Sequence, residues 1–119
     1  MFGNKRAICA FFAISAVGAL CAGAACGGSS TPPKTVVFNI VVTGDKSNLG
    51  DIMANKGDTI KMTVNCDKGE EIHLHGYDYK FECAPGKPAS MTFTADKAGQ
   101  FEYEIENTST HLGNLTVNP

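Results

Sequence analysis

The sequence contains no tryptophan, and charged residues make up only 18% of its 119 positions. A chain of this length has room for one small domain, whose core must come from Val, Ile, Leu, Phe and Met. Positive charge is also scarce, because ten lysines and arginines stand against twelve aspartates and glutamates. Binding to a phosphate backbone requires a basic surface. The composition therefore argues against nucleic acid as a partner.

Helical periodicity and catalytic motifs are missing as well. No stretch of useful length repeats its apolar residues with the period of an amphipathic helix. The longest apolar run, residues 7–20, is shorter than the roughly 20 residues that span a bilayer. No serine or cysteine stands with histidine at a spacing that suggests nucleophilic catalysis, and no glycine-rich phosphate loop occurs. The sequence predicts a binding or interaction protein and not an enzyme.

The first 26 residues have the pattern of an export signal. Lys5 and Arg6 precede the apolar run, and the small-residue stretch 22–25 follows it. Residues 23–30 resemble the processing site of bacterial lipoproteins, which implies that Cys26 is acylated and becomes the first residue. Gly23 departs from that pattern, because the family usually carries Leu, Val or Ile there. Ordinary signal cleavage without a lipid is the alternative.

The segment after Cys26 is rich in glycine, serine and proline. Residues 27–34 have the composition of a flexible tether. Two or three acyl chains on one cysteine would exceed the threshold for stable membrane attachment. The sequence thus predicts one folded domain, residues 35–119, anchored to the outer face of the cell membrane by the lipid on Cys26.

The remaining chain has the pattern of an all-β protein. Short β-branched or aromatic runs alternate with clusters of Gly, Pro, Asp and Asn. The predicted strands cover residues 35–42, a short run around Ile52 and Met53, 59–66, 72–75, 77–83, 89–94, 101–106 and 112–117. The first two of these are expected to form a hairpin. Seven or eight strands at this spacing predict a β-sandwich with antiparallel, Greek-key pairing.

Two cysteines remain once the leader is removed and Cys26 is blocked. Cys66 and Cys83 lie in the apolar phase of their strands, in a domain expected to be oxidised. We predict that they form one disulfide, which would exclude them as copper ligands. Two buried thiols or a metal–thiolate pair are the alternatives.

Histidine is the one residue type that suggests a site. His73 and His75 stand two positions apart, which places both on one side of a strand, and His111 is the third. Imidazole suits copper, zinc, nickel and iron, so three histidines converging at one end of the sandwich would bind a divalent ion. The alternative is that one or two of them lie at the rim of the barrel, hydrogen-bonded to Glu70, Glu71 or solvent.

Several longer segments resemble bacterial cupredoxin-like domains of exported proteins. They are EIHLHGYD at 71–78, PGK at 85–87, MTFTADKAG at 91–99 and FEY at 101–103. The resemblance covers residues 35–117 and implies the Greek-key sandwich of the blue-copper proteins. It also implies copper as the cofactor, with His75, or less favourably His73, matching the family's first copper ligand.

The family's other ligands are a cysteine, a second histidine and an axial methionine near the loop between the last two strands. Here Ile105 holds the cysteine position, no histidine occupies 107–110, and His111 falls near the axial position. A blue copper centre depends on the copper–thiolate bond, so the resemblance does not extend to rapid electron transfer.

Two functions remain open on these grounds. The first is binding of copper or another divalent metal through His75, His111 and His73, assisted by Glu70, Glu71, Asp78, Met53 or Met62. The second is a metal-free interaction module for an envelope protein complex. The row Glu102, Glu104 and Glu106 is interpreted as an ordinary solvated strand face, and Met53, Met62 and Met91 as core residues.

Overall fold

The strands of this chain follow from alternating apolar and polar residues, which give each strand one face that can be buried. The computed structural model describes residues 31–119. They form β1 (Thr35–Thr43), β2 (Lys46–Ser47), β3 (Ile52–Asn55), β4 (Thr59–Cys66), β5 (Glu70–Leu74), β6 (Tyr79–Cys83), β7 (Ala89–Thr94), β8 (Gly99–Ile105), a 3₁₀ turn (Glu106–Thr108) and β9 (Thr110–Asn118). The predicted signal peptide, the predicted lipidation site at Cys26 and residues 27–30 of the predicted tether lie outside the described residues.

The nine strands form two sheets that pack as a β-sandwich. The four-stranded sheet has the order β2-β1-β4-β7, and the five-stranded sheet has the order β3-β9-β8-β5-β6. The predicted all-β sandwich is confirmed. Between residues 31 and 119, the structure contains no helix that is both long and apolar enough to cross a membrane.

Two details of the expected pairing are wrong. Pairing is not antiparallel throughout, because β1 runs parallel to β4 and β3 runs parallel to β9. The expected hairpin between the first two runs does not form, since β1 and β3 belong to different sheets. The turn residues between them show where the chain reverses, but they do not show which sheet the next strand joins.

The core lies between the two sheets and uses the apolar phase of each strand. Its largest fully buried side chains are Tyr103, Phe81, Ile40, Ile60, Met62, Ile72, Leu74 and Leu115. Met91 packs against this core, as expected. Met53 does not, because it is 63% exposed and lies on the outer face of β3. The alternation within that short strand therefore places Ile52 and Ala54 inward instead.

Cys66 and Cys83 form the predicted disulfide, with Cα atoms 5.6 Å apart. The bond joins β4, in the interior of the four-stranded sheet, to β6, at an edge of the five-stranded sheet. Both side chains are buried. The disulfide thus links the two layers and leaves neither cysteine available as a thiolate.

Asp58 ties the beginning of β1 to the turn that follows β3. Its carboxylate accepts the backbone N–H of Asn55 at 2.9 Å and that of Lys34 at 3.0 Å. The side chain is buried, at 1% exposure. The bond from Asn55, then the bond from Lys34 and its positive charge, lower the pKa of Asp58 below its ordinary value.

We expect this carboxylate to make stability depend on acid pH. Because its folded-state pKa is depressed, its contribution is present above the unfolded pKa of about 4 and is lost as pH falls through the folded pKa. Asp58→Asn should lower the melting temperature near neutral pH and flatten its decline between about pH 4 and pH 2. Thermal denaturation across that range measures both effects. Asp45→Asn, at an exposed turn, is the control, and equal profiles for the two variants would contradict the prediction.

Candidate metal centre

The outer face of the five-stranded sheet carries the candidate site. On β5, Ile72 and Leu74 point into the core, so the intervening His73 points outward. His75 follows β5 directly, and its backbone N–H donates to the carbonyl of Glu102 at 2.9 Å. On the neighbouring β8, Tyr103 and Ile105 are buried. Glu104 lies between them and Glu102 precedes them, and both of these alternate residues point outward and contact histidines.

A β-bulge brings His111 to the same face. Strict alternation along β9 would give His111 the inward phase of Leu115 and Val117. The register between β8 and β9 shifts at this point, since Tyr103 lies opposite Gly113 and Glu104 lies opposite His111. The extra residue, Leu112, turns into the core instead. His111 is therefore 54% exposed at its side chain and lies beside β8.

His75, Glu102 and Glu104 form the tightest group of potential metal ligands among residues 31–119. One donor atom from each lies within 4.8 Å of the others. His75 Nε2 contacts Oε2 of Glu104 directly. The Glu104 side chain is 12% exposed and that of His75 is 45% exposed. The group is thus anchored on one side by packing and open to solvent on the other.

The other two histidines flank this group, each paired with carboxylates. His111 Nδ1 lies 2.6 Å from Oε2 of Glu102. His73 Nε2 lies 2.8 Å from Oδ1 of Asp78, and this hydrogen bond and the charge of His73 lower the pKa of Asp78. The sequence alone left open whether the three histidines approach one another. In the structure the rings of His73 and His75 have their centroids 4.4 Å apart, and His111 contacts Glu102 of the same group. The three histidines lie on the open face of one sheet, with glutamates between them.

The interpretation of Glu102, Glu104 and Glu106 as an ordinary solvated strand face therefore describes only part of their role. They are outward residues of β8 and of the turn after it, but each also contacts a histidine. Their two-residue spacing matches that of His73 and His75, and this shared spacing is the feature of the sequence that could have indicated their role at the site. It becomes informative only when β5 and β8 are known to be neighbours. The pairing places His73 opposite Glu104.

Of the residues expected to assist the histidines, Asp78 alone is seen to contact one. Glu70 lies near Lys68, at 3.6 Å, and Glu71 lies near Lys80, at 3.8 Å. Met62 is buried in the core. Met53 lies on β3, which is separated from β8 by β9.

Comparisons with known proteins identify the architecture. A scan against protein-family models gives no match, and a sequence comparison with curated proteins gives none either. Among solved structures, a copper-binding protein in its apo form matches with a TM-score of 0.58 and 14% identity, over 74% of this chain and 98% of that one. Auracyanin A, a blue copper protein of Chloroflexus aurantiacus, matches with a TM-score of 0.56 and 16% identity, over 71% and 99%. The fold is cupredoxin-like.

Domains of larger proteins match the same cupredoxin-like fold. A laccase from Botrytis aclada gives a TM-score of 0.60 at 20% identity, over 76% of this chain and 23% of the laccase. A chain of a heme-copper terminal oxidase gives 0.62 at 17% identity, over 71% of this chain and 65% of the oxidase chain. This chain thus spans less than two-thirds of either protein chain. At these identities the likeness establishes the fold alone.

The residues present do not fit a blue copper centre. Such a centre requires a thiolate, and the two cysteines within residues 31–119 are joined in the disulfide. Ile105, at the expected thiolate position, is buried in the core at 2% exposure. The donors that do meet are one imidazole and two carboxylates. Nitrogen and oxygen donors of this kind suit a divalent ion such as Zn²⁺, Ni²⁺ or Cu²⁺.

Proposed function

We propose that this protein is an exported, lipid-anchored cupredoxin-like protein that binds a divalent metal ion, copper in particular, and performs no catalysis. The leader pattern and Cys26 support the anchor. The convergence of His75, Glu102 and Glu104 on the open face of the five-stranded sheet carries the metal-binding proposal. Copper is favoured by the fold, since copper-binding proteins are among its structural relatives.

The donor set defines which ions the site should accept. An imidazole and two carboxylates favour divalent ions of intermediate hardness, whereas Cu⁺ prefers thiolate and thioether sulfur. Cys66 and Cys83 are joined in the disulfide. Met62 is buried in the core, and Met53 lies on β3, which β9 separates from β8. The site should therefore hold Cu²⁺ or Zn²⁺ and bind Cu⁺ only weakly.

Titration of the full-length protein in detergent tests this function. We expect one Cu²⁺ or Zn²⁺ per chain by calorimetry, and a copper spectrum without an intense blue band. His75→Ala and Glu104→Gln each remove a ligand and should weaken binding by more than about 100-fold, beyond the cost of losing an outer-shell partner. Glu82→Gln, on the neighbouring β6, is the matched control and should bind as the wild type does.

Two results would contradict the proposal. Unchanged affinity in both ligand variants would show that metal binds elsewhere. An intense blue band would show that a thiolate ligates copper, against the disulfide assignment.

The alternative, a metal-free interaction module for an envelope protein, is favoured by one observation. Each histidine contacts at least one carboxylate of the protein, so each of these side chains has an acidic partner of its own. A folded protein that binds none of the tested ions would support this alternative. Crosslinking on the cell envelope, read against a variant with the three histidines replaced, would then identify the partner.

A further inference from the structure

We propose that His73 is a positioning residue for the metal site and not one of its ligands. This inference rests on the proposed function, since it concerns how His75 is held at the site. It differs from the sequence-based expectation, which placed His73 among the metal ligands together with His75 and His111.

Carboxylates lie at both ring nitrogens of His73. Its Nε2 forms the hydrogen bond to Asp78, and Oε1 of Glu106 lies 3.0 Å from Nδ1, without hydrogen-bond alignment. The side chain is only 13% exposed, so it has little freedom to turn toward solvent. Neither nitrogen points freely into the group formed by His75, Glu102 and Glu104, and His73 is not part of that group.

The ring of His73 packs against the ring of His75. Their centroids are 4.4 Å apart and their planes are inclined by 49°. His75 lies beyond the end of β5, and its side chain is 45% exposed. Besides the contact of its Nε2 with Glu104, the imidazole of His75 packs on the more buried ring of His73, and this ring contact limits its rotamers. A ligand held in its binding rotamer loses less conformational entropy when the ion arrives.

The two carboxylates beside His73 belong to residues in tight backbone turns. Asp78 adopts a left-handed conformation with φ of 63°, and its N–H donates to the carbonyl of Leu74 at 2.8 Å. Glu106 begins the 3₁₀ turn, whose Ser109 N–H donates back to the Glu106 carbonyl at 3.3 Å. Two tight turns thus present their carboxylates to opposite sides of one imidazole. The hydrogen bond to Asp78 and the burial of the ring hold His73 in this orientation.

Replacements of His73 separate positioning from coordination. His73→Phe keeps a ring against His75 but supplies no ligand, whereas His73→Ala removes both. If His73 positions His75, the alanine variant should bind Cu²⁺ about 10- to 100-fold more weakly, and the phenylalanine variant should recover most of that loss. Asp78 and Glu106 are 84% and 41% exposed at their side chains, so water can solvate them beside a phenylalanine.

Pulsed electron paramagnetic resonance of the Cu²⁺-loaded full-length protein supplies the decisive signature. The coupling from the imidazole nitrogen should be the same in the wild type and in His73→Phe, and it should disappear in His75→Phe. Loss of an imidazole nitrogen signal in His73→Phe, or affinity as low as that of His73→Ala, would overturn the inference. Unchanged binding in His75→Phe would instead overturn the proposed function, so the two failures are distinguishable.

Asp78→Asn gives a test that leaves both histidines in place. Asparagine tolerates the left-handed conformation, so the turn should be retained while the bond to His73 weakens. A positioning role predicts several-fold weaker Cu²⁺ binding than in the charge-matched control Glu82→Gln. If His73 were a ligand, releasing its Nε2 would strengthen binding instead. The sign of the change therefore decides between the two roles even if His73→Phe fails to fold.

Discussion

Gly113→Ala is expected to unfold the domain or to destabilise it by several kcal/mol, the range of the most disruptive single substitutions. Gly113 is buried in β9, directly beside the bulge. A Cβ added there would overlap the carbonyl group of Gly50, which is backbone and cannot rotate away. The substitution therefore forces two segments of main chain apart.

The carbonyl of Gly50 also accepts a hydrogen bond, which the same substitution would disturb. It accepts the hydroxyl of the buried Tyr103 at 2.5 Å, and burial raises the pKa of that hydroxyl. The next residue, Asp51, accepts the backbone N–H of Asn114 at 2.9 Å. Displacing the loop would thus cost a buried hydrogen bond in addition to the steric overlap, about 1–3 kcal/mol for the group left unpaired.

Chemical denaturation of Gly113→Ala beside Gly69→Ala measures the effect. Gly69 has no atom within 4 Å of an added Cβ and does not need a left-handed backbone, so its variant should stay within about 1 kcal/mol of the wild type. A Gly113→Ala protein with wild-type stability would mean that β9 can shift away from the loop. Since His111 lies on the other side of the bulge, we would then expect its contact with Glu102 to change as well.

The alternation of residues in each strand predicts most of the fold. Ile60, Met62, Val64 and Cys66 are all buried, as their phase in β4 indicates. The same rule misplaces His111, because a bulge adds one residue and reverses the phase beyond it. It also cannot assign β1 and β3 to different sheets. Periodicity shows which side of a strand is buried, while strand order is decided by contacts between distant segments.

The same limitation explains why the metal site could be predicted only in part. His75 is recognisable from its motif, and imidazole is a common ligand. Glu102 and Glu104 come from a strand about 30 positions later, and an exposed glutamate row occurs in many sheets without any ion. Their role depends on β8 lying beside β5, with His73 opposite Glu104. That pairing is not visible in local sequence.

Replacing both Cys66 and Cys83 by alanine is expected to produce the second large effect, a loss of about 3 kcal/mol of stability. The bond closes a loop with a sequence separation of 17, and closing a loop of this length lowers the entropy of the unfolded chain by roughly that amount. In a domain of this size each kcal/mol corresponds to about 4–8 °C in melting temperature. The double variant should therefore melt roughly 12–24 °C below the wild type.

Because of where the disulfide lies, its removal should change the stability of the domain without changing metal binding. The bond holds β6 to the opposite sheet, and β6 pairs with β5, which carries His73. Well below its melting temperature the double variant should bind Cu²⁺ as the wild type does, because none of the proposed ligands lies on β6. Calorimetry and thermal denaturation on the same sample test both parts. A variant that melts with the wild type would show that the disulfide does not constrain the unfolded chain, whereas lost binding in a folded variant would show that β6 helps to position the site.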